Sequence, residues 1–171
     1  PAADETAVRA DSNARAVLKY YWTMHGRDSF DDRGSTVTSV VHVGKAFNNA
    51  FWSSDRNFMA YGDGDGVFMN DLTMSLDVAG HEMTHGVTSR TANLTYSGES
   101  GGLNEATSDI FGTMVEYYAN GATDVPDYKI GEMLWKSNWN TSNPTRSSFT
   151  GNRALRYMYK PSLDGASPDC W

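Results

Sequence analysis

The stretch G-H-E-M-T-H at residues 80–85 decides the fold, because its spacing predicts a helix with two metal ligands on one face. His81 and His85 lie four residues apart, so a helix places both imidazoles on the same side, one turn apart. Two neutral imidazoles in that arrangement can bind one Zn²⁺. Glu82 follows the first histidine and is directed at a water on the metal rather than at the metal itself. The stretch therefore predicts two zinc ligands and a general base.

A second acidic segment supplies the ligand that is still missing. A catalytic zinc ion needs a third protein ligand beside an open position. On a second helix, at about 100° per residue, Glu105, Asp109 and Glu116 share one face. If the two helices run antiparallel, Glu105 meets His85 and completes the zinc site. Asp109 then meets His81 and can accept its second N–H, which is the usual support of a metal-bound histidine.

The same pairing of faces brings two further carboxylates together. Asp77 on the first helix would meet Glu116 on the second. Two like charges tolerate such proximity only if a cation lies between them. Carboxylate oxygens are ligands that Ca²⁺ prefers. We therefore predict a structural calcium site at this pair.

Four motifs together resemble the thermolysin family of zinc neutral endopeptidases. They are H-E-M-T-H at 81–85, N-E-A-T-S-D at 104–109, N-N-A-F-W at 48–52 and Y-G-D-G-D-G at 61–66. The metzincin pattern is excluded, because it requires glycine at position 88 and histidine at position 91, where this chain has threonine. The resemblance implies an α+β fold of the zincin type. In that fold a mixed or antiparallel sheet packs on the H-E-x-x-H helix, and a second helix runs antiparallel to it.

The resemblance also implies a zinc-dependent endopeptidase that hydrolyses internal peptide bonds. Zinc would activate a water and polarise the carbonyl, while Glu82 would take a proton and return it to the leaving amine. Tyr96 would stabilise the oxyanion. Arg156 would bind the carbonyl that follows the cleaved bond, a task that suits a planar fork of donors.

Further substrate contacts follow from family positions. Asn49 and Ala50 would hold an extended peptide along an open strand edge. Leu72 and Val78 would line an apolar pocket, which favours cleavage before hydrophobic residues. From the residues alone, the stretch around Asn49 reads only as a β-edge rich in turn formers.

The resemblance extends the calcium site into the loop after the second helix. Its expected ligands are Asp77, Glu116, Asp127, Glu132 and the backbone carbonyl of Lys129. The loop is longer than the family pattern, so Asp124 could replace or supplement Asp127, and one or two calcium ions are left open. The acidic repeat at 61–66 is not an EF-hand, because Met74 stands where an EF-hand has glutamate.

Local patterns predict the remaining elements. Asp11 or Ser12 caps a first helix that stops at Gly26, and strands are expected within 36–43 and 57–61. Ser75 caps the zinc helix, and Gly80 inside it indicates a close approach of a second helix or of a metal. A turn-rich stretch at 91–102 precedes the second helix, which ends near residues 120–121.

We predict one zinc-bearing catalytic core over residues 1–171. A helix and sheet region covers 1–70, the two zinc-site helices cover 71–121, and a calcium loop with an irregular tail covers 122–171. The tail includes an Asn-, Ser- and Thr-rich surface loop at 137–152.

Composition narrows the class of protein. The 171 residues are 39% hydrophobic and 20% charged and carry a net charge of −7, which is an ordinary globular composition. The acidic balance argues against nucleic acid as a partner. No stretch approaches the roughly 20 apolar residues that a membrane helix needs. Residues 1–4 show neither the basic head nor the apolar run of a signal peptide, and we interpret the chain as the mature form of a secreted, extracellular protein.

The chain also departs from the family pattern. Members have a β-rich segment before the first helix and a helical C-terminal lobe whose histidine helps stabilise the oxyanion, and we expect both to be absent here. We therefore expect peptide or protein substrates and, as partners, the remaining fragments of the same protease. Cys170 could form a disulfide to such a fragment or stay an unpaired thiol. The alternative function is an inactive or incomplete fragment that serves as a metal-stabilised binding or structural module.

Overall fold

Three long helices are the largest elements of the chain that the computed structural model describes, namely residues 3–122, 124–136 and 153–164. The helices are α1 (Glu5–His25), α2 (Leu76–Arg90) and α3 (Gly98–Ala119). A three-stranded sheet contains β1 (Thr38–Val40), β2 (Ala50–Ser53) and β3 (Phe58–Tyr61), and a two-stranded ribbon contains β4 (Lys129–Ile130) and β5 (Arg156–Tyr157). Short 3-10 turns lie at Leu72–Met74, Glu132–Leu134 and Pro161–Asp164.

Helix α1 begins earlier than its sequence pattern predicts. The side chain of Asp4 accepts hydrogen bonds from two backbone N–H groups of the first turn, which is the role of an N-cap. The prediction that Asp11 or Ser12 caps this helix is therefore wrong, because the Ala-rich segment before them favours helix once Asp4 has capped it. The predicted stop is confirmed, since Gly26 ends the helix in the left-handed region at φ 62°.

The sheet is mixed, as the α+β prediction requires. Its order is β1-β3-β2, with β1 parallel and β2 antiparallel to the central strand β3. Met59, Ala60 and Tyr61 on β3 are fully buried. Both strands that the sequence predicts are present but shorter than their predicted windows. Strand β2 lies at the edge of the sheet, which leaves one of its sides open for pairing.

Helices α2 and α3 cross at a pair of glycines. A Cβ atom on Gly80 would lie 2.8 Å from the Cα of Gly112, and one on Gly112 would lie 2.5 Å from the backbone oxygen of Asp77. Only glycine fits such a contact, which confirms the predicted close approach of a second helix at Gly80. Ser75 precedes α2 as predicted, although its hydroxyl binds the carboxylate of Asp77 rather than a backbone N–H of the helix.

Helix α3 also begins earlier than predicted. It starts at Gly98, so residues 98–102 are helical and the predicted turn-rich stretch is too long. Its first turns are rich in glycine and serine, which have low helix propensity, so local composition does not predict this start. The end is as predicted, because Asn120 closes the helix at φ 46°.

The core lies where α1 and the sheet cover α2 and α3. Its members include Val17, Tyr21, Met59, Tyr61, Leu72, Met83 and Val115. The Tyr21 ring stacks on Phe111, and its hydroxyl shares a 2.7 Å hydrogen bond with Thr84. This packing holds α2 with one face toward the core and its histidine face toward a cleft.

Some sequence predictions concern residues that the structure does not describe. The predicted surface loop at 137–152 and the predicted alternatives for Cys170 fall outside the described residues. The division of residues 1–171 into three regions stays a prediction. Within the described residues, no helix combines the length and apolar character that a bilayer crossing requires.

Candidate active site

Two histidines and a glutamate converge where α2 faces α3. The Nε2 atom of His81 lies 3.2 Å from one carboxylate oxygen of Glu105, and Nε2 of His85 lies 3.4 Å from the other. The two Nε2 atoms are 3.0 Å apart. All three potential ligand atoms lie within 4.8 Å of one another. Two imidazole nitrogens and one carboxylate oxygen form a donor set that fits zinc.

The second nitrogen of each imidazole has its own partner. Nδ1 of His81 lies 2.7 Å from Asp109, where the facing-helix pattern placed it. Nδ1 of His85 lies 2.7 Å from the side-chain oxygen of Asn104. The sequence did not single out Asn104 for this task, although it directly precedes Glu105 in the quoted motif. Such contacts fix the ring orientation and turn Nε2 toward the ligand cluster.

Arg156 supports this arrangement from β5. Its Nε and Nη2 atoms each donate a 2.6 Å hydrogen bond to Asp109, one to each carboxylate oxygen. Asp109 in turn faces His81. The guanidinium therefore contacts the residue that orients a predicted zinc ligand. Its predicted contact with a substrate carbonyl stays a prediction.

Charges within the site favour the ionised carboxylate and the protonated imidazole. Burial disfavours the charged form of His81, but hydrogen bonds with Asp109 and Glu105 outweigh it and raise its pKa to about 9. Hydrogen bonds from His81 and His85 hold the pKa of Glu105 far below its usual range. A metal ion at these atoms must therefore displace a proton from His81.

Glu82 lies buried beside the two histidines. This residue is only 8% exposed. Burial raises the pKa of this carboxyl group, and the nearby charges of His81 and His85 partly oppose the rise. A carboxylate whose pKa moves toward neutrality is better able to take up a proton and release it again.

Tyr96 reaches the site from the loop between the helices. The residue is 68% exposed, and its hydroxyl donates a hydrogen bond to Glu105. Its ring centroid lies 6.0 Å from that of His85. The hydroxyl is thus held beside a predicted zinc ligand at the open side of the site.

A cleft of about 690 Å³ joins these residues to the sheet edge. Its lining includes every residue that the sequence predicts for zinc, catalysis and substrate except Asp109: Asn49, Ala50, Leu72, Val78, His81, Glu82, His85, Tyr96, Glu105 and Arg156. Asn49 and Ala50 mark the start of β2, the edge strand. The backbone oxygen of Asn49 accepts a 3.0 Å hydrogen bond from Gly62, so the Y-G-D-G-D-G loop supports this edge from behind.

A second cluster, which we call the acidic triad, consists of Glu116, Asp124 and Glu132. One oxygen from each lies within 4.8 Å of the others. One buried oxygen of each carboxylate has no hydrogen-bond partner among the described residues. Burial, and then repulsion from Asp77 and the other nearby carboxylates, raises the pKa of Glu116 and of Glu132. Convergent, unpartnered carboxylate oxygens fit a hard cation such as Ca²⁺.

The other predicted calcium ligands border the acidic triad without joining it. Asp77 is fully buried, and its oxygens accept hydrogen bonds from Ser75, Val78 and Gly131. Burial raises its pKa to about 6.

The carboxylate of Asp127 interacts with Lys129. It accepts a 2.6 Å hydrogen bond from the backbone N–H of Lys129 and pairs with the ammonium group of the same residue. Asp124 instead accepts a 2.8 Å hydrogen bond from Leu76 at the start of α2 and belongs to the acidic triad. Of the two alternatives that the sequence leaves open, the geometry favours Asp124 over Asp127.

Comparisons with known proteins agree with this arrangement. Residues 1–89 match the family model of the thermolysin metallopeptidase catalytic domain, and residues 92–171 match that of its alpha-helical domain. The second match begins before α3, so part of the helical domain that was expected to be absent is represented in this chain. The ligands of the candidate zinc site come from both matched segments.

Named relatives show the same family. The transglutaminase-activating metalloprotease of Streptomyces mobaraensis is 51% identical over 164 residues, which cover 96% of this chain and 20% of that protein. Thermolysin of Bacillus caldolyticus is 48% identical over 132 residues, which cover 77% of this chain and 23% of that protein. A solved precursor of protealysin, a metalloproteinase from Serratia proteamaculans, superposes with a TM-score of 0.72 at 36% identity, covering 80% of this chain and 43% of that one.

Because the matches cover only part of each relative, they do not carry the whole relative's function over to this chain. The chain spans about a fifth of the length of the first two relatives. Identity over nearly the whole chain, the two family models and the shared fold nevertheless agree with one another. The chain belongs to the thermolysin metallopeptidase family.

Proposed function

We propose that this chain is the zinc-bearing part of an endopeptidase that hydrolyses internal peptide bonds. One observation carries the proposal: His81, His85 and Glu105 converge in a cleft that also contains Glu82 and an open strand edge. The three ligands would hold zinc, which when bound polarises a carbonyl and lowers the pKa of water. A site that served structure alone would have no use for a buried base in the same cleft.

Glu82 moves the protons of the reaction. Its carboxylate accepts a proton from the attacking water and delivers it to the nitrogen of the leaving amine. Burial raises its pKa, which favours the uptake of that proton. Asp109 acts indirectly, because it holds the ring of His81 in one orientation.

Other side chains position the peptide. Asn49 and Ala50 pair with an extended substrate backbone along the open edge of β2. Leu72 and Val78 form an apolar wall that favours a hydrophobic side chain after the cleaved bond. Tyr96 and Arg156, at the mouth of the cleft, donate hydrogen bonds to the developing oxyanion and to the next carbonyl.

The acidic triad holds one structural Ca²⁺, with Asp77 beside it as a buried support. The calcium-dependent enzyme acts outside the cell on peptide or protein substrates. Further parts of the same protease complete the cleft. These assignments extend what the family implies to this chain.

The variant Glu82→Gln tests the proposal. It should keep its zinc, because Glu82 is not a ligand, and should lose about 10²- to 10⁴-fold in kcat. The measurement is zinc content by atomic absorption together with the rate of cleavage of a peptide that has a hydrophobic residue after the target bond. Glu99→Gln, an exposed glutamate on α3, is the matched control and should be unaffected.

Two results would overturn the proposal. Near wild-type turnover by Glu82→Gln would remove the base from the mechanism. A zinc-loaded chain that cleaves no peptide even when the remaining parts of the protease are supplied would instead favour the metal-stabilised module.

A further inference from the structure

The ribbon of β4 and β5 connects the acidic triad to the zinc site. Ile130 on β4 pairs directly with Arg156 on β5. Hydrogen bonds of 2.7 Å from Leu155 to Ile130 and of 2.9 Å from Met158 to Tyr128 extend this pairing on both sides. Ile130 is fully buried. The position of Arg156 is therefore set by β4.

The acidic triad holds the other end of β4. Glu132 follows the strand by two residues and contributes one oxygen to the triad. Gly131, between them, donates a 2.7 Å hydrogen bond to the buried Asp77. Gly131 has φ 70°, and a Cβ atom there would lie 2.7 Å from the side chain of Leu155. Any movement of Glu132 is thus transmitted to the strand that carries Arg156.

Arg156 completes the connection. Its two 2.6 Å hydrogen bonds fix both oxygens of Asp109, and Asp109 lies 2.7 Å from Nδ1 of His81. A bidentate pair of this kind sets angle as well as distance. Arg156 is hence a positioning residue for a zinc ligand, acting through Asp109.

The interactions of the triad carboxylates depend on whether a cation is bound. Three of its oxygens are buried without a hydrogen-bond partner among the described residues. Without a cation, ionised carboxylates here repel one another. Glu132 lies on the segment that continues from β4, whereas Glu116 and Asp124 are tied to α3 and to the start of α2.

We propose that a divalent cation in the acidic triad tightens zinc binding by fixing Arg156 through the β4–β5 ribbon. The inference builds on the proposed function, but it concerns the affinity for zinc and not the cleavage of peptides. Because coupling between two binding sites is reciprocal, zinc should tighten calcium binding by the same factor.

The experiment measures zinc affinity of the 171-residue chain by competition with a coloured chelator, with and without saturating Ca²⁺. The wild-type chain should bind zinc about tenfold more tightly with Ca²⁺, the size expected when the support of a metal-bound histidine is altered. Arg156→Gln should reduce this ratio to about one, while its calcium affinity in the absence of zinc stays unchanged. Arg90→Gln is the control, because Arg90 lies on α2 but contacts Asn57, and its ratio should stay at the wild-type value.

The possible outcomes separate the two proposals. A wild-type ratio near one, or a ratio that survives in Arg156→Gln, would overturn the coupling and leave the zinc site intact. Loss of helical circular dichroism in the calcium-free wild type would overturn it too, because the effect would then be global unfolding. A chain that binds no zinc under either condition would overturn the proposed function itself.

Discussion

The zinc site and the acidic triad lie on the same pair of helices, yet their carboxylates behave in opposite ways. Glu105 faces two imidazoles, and their hydrogen bonds hold its pKa far below the usual range. Glu116, about three helical turns further along α3, faces other carboxylates, and burial with repulsion raises its pKa. The comparison shows that neighbours, more than the helix or the residue type, decide which ion a carboxylate can hold.

The two sites also differ in how complete they are without an ion. In the zinc site each ligand has a protein partner: Asp109 for His81, Asn104 for His85 and Tyr96 for Glu105. In the acidic triad one buried oxygen of each member has none among the described residues. The proposed zinc site is therefore preorganised by its surroundings, whereas the unpartnered carboxylates of the acidic triad would need a cation beside them.

The largest change in the free energy of unfolding should come from a change of pH in the calcium-free chain. Burial raises the pKa of Asp77 from 3.8 to about 6, so the folded chain holds a proton that the unfolded chain releases, and stability falls as pH rises through this window. At roughly 1.4 kcal/mol per pKa unit, Asp77 alone costs on the order of 3 kcal/mol. Urea unfolding at about pH 4 and pH 8 should show most of this loss, and saturating Ca²⁺ should remove most of it.

His81 provides the internal reference for that experiment. Its raised pKa also makes the metal-free chain less stable as pH rises toward 9, and the centre of this change lies above that of Asp77. Only the difference between the curves with and without Ca²⁺ reports on the acidic triad. Identical curves would contradict the contrast drawn between the two sites.

A smaller effect should come from Gly112, which lies between the sites at the helix crossing. In Gly112→Ala the new Cβ would lie 2.5 Å from the backbone oxygen of Asp77 and 3.2 Å from the backbone nitrogen of His81. Because both are backbone atoms, the helices must separate, at a cost of about 2 kcal/mol. Urea unfolding should show this loss, and both metal affinities should fall together.

Gly102→Ala is the matched control on the same helix. Gly102 has no atom within 4 Å of an added Cβ, so alanine should raise the free energy of unfolding by up to about 1 kcal/mol. A loss of stability here comparable to that of Gly112→Ala would mean that the crossing contact is not the cause.

The smallest effect should distinguish Asp127 from Asp124. Asp127 is paired with Lys129 outside the acidic triad, so Asp127→Asn should change the free energy of calcium binding by less than about 1 kcal/mol. Asp124→Asn removes a charge from the triad and should weaken binding much more. Calorimetric titration with Ca²⁺ measures both, and the reverse order would return Asp127 to the ligand set.

Helical periodicity accounts for what the sequence could predict. The spacing of His81 and His85, with Glu105 and Asp109 on a facing helix, is sufficient to predict that the four side chains converge. The sequence did not predict the contact of Asn104 with His85, because an amide is not a typical zinc ligand and ligand chemistry gave no reason to select it. The choice between Asp124 and Asp127 depends on the path of a loop, which no periodic pattern encodes.

The helix starts were missed for a related reason. Asp4 caps α1 with its side chain, and a single capping residue in a polar segment is a weak signal. At Gly98 the local composition favours a turn, so the sequence gives no signal for a helix that starts there. Local rules predicted the ends better, because Gly26 and Asn120 adopt the left-handed conformation that such rules describe.

The two family models meet between residues 89 and 92, so the zinc site is shared between the segments on either side of that boundary. Two of its ligands precede the boundary and the third follows it. During synthesis the first segment emerges with only a pair of histidines, and a three-ligand site forms once α3 has folded back against α2. If these residues bind zinc as proposed, tight uptake requires the docking of the second segment, and a chain stalled before residue 105 lacks one of the three ligands.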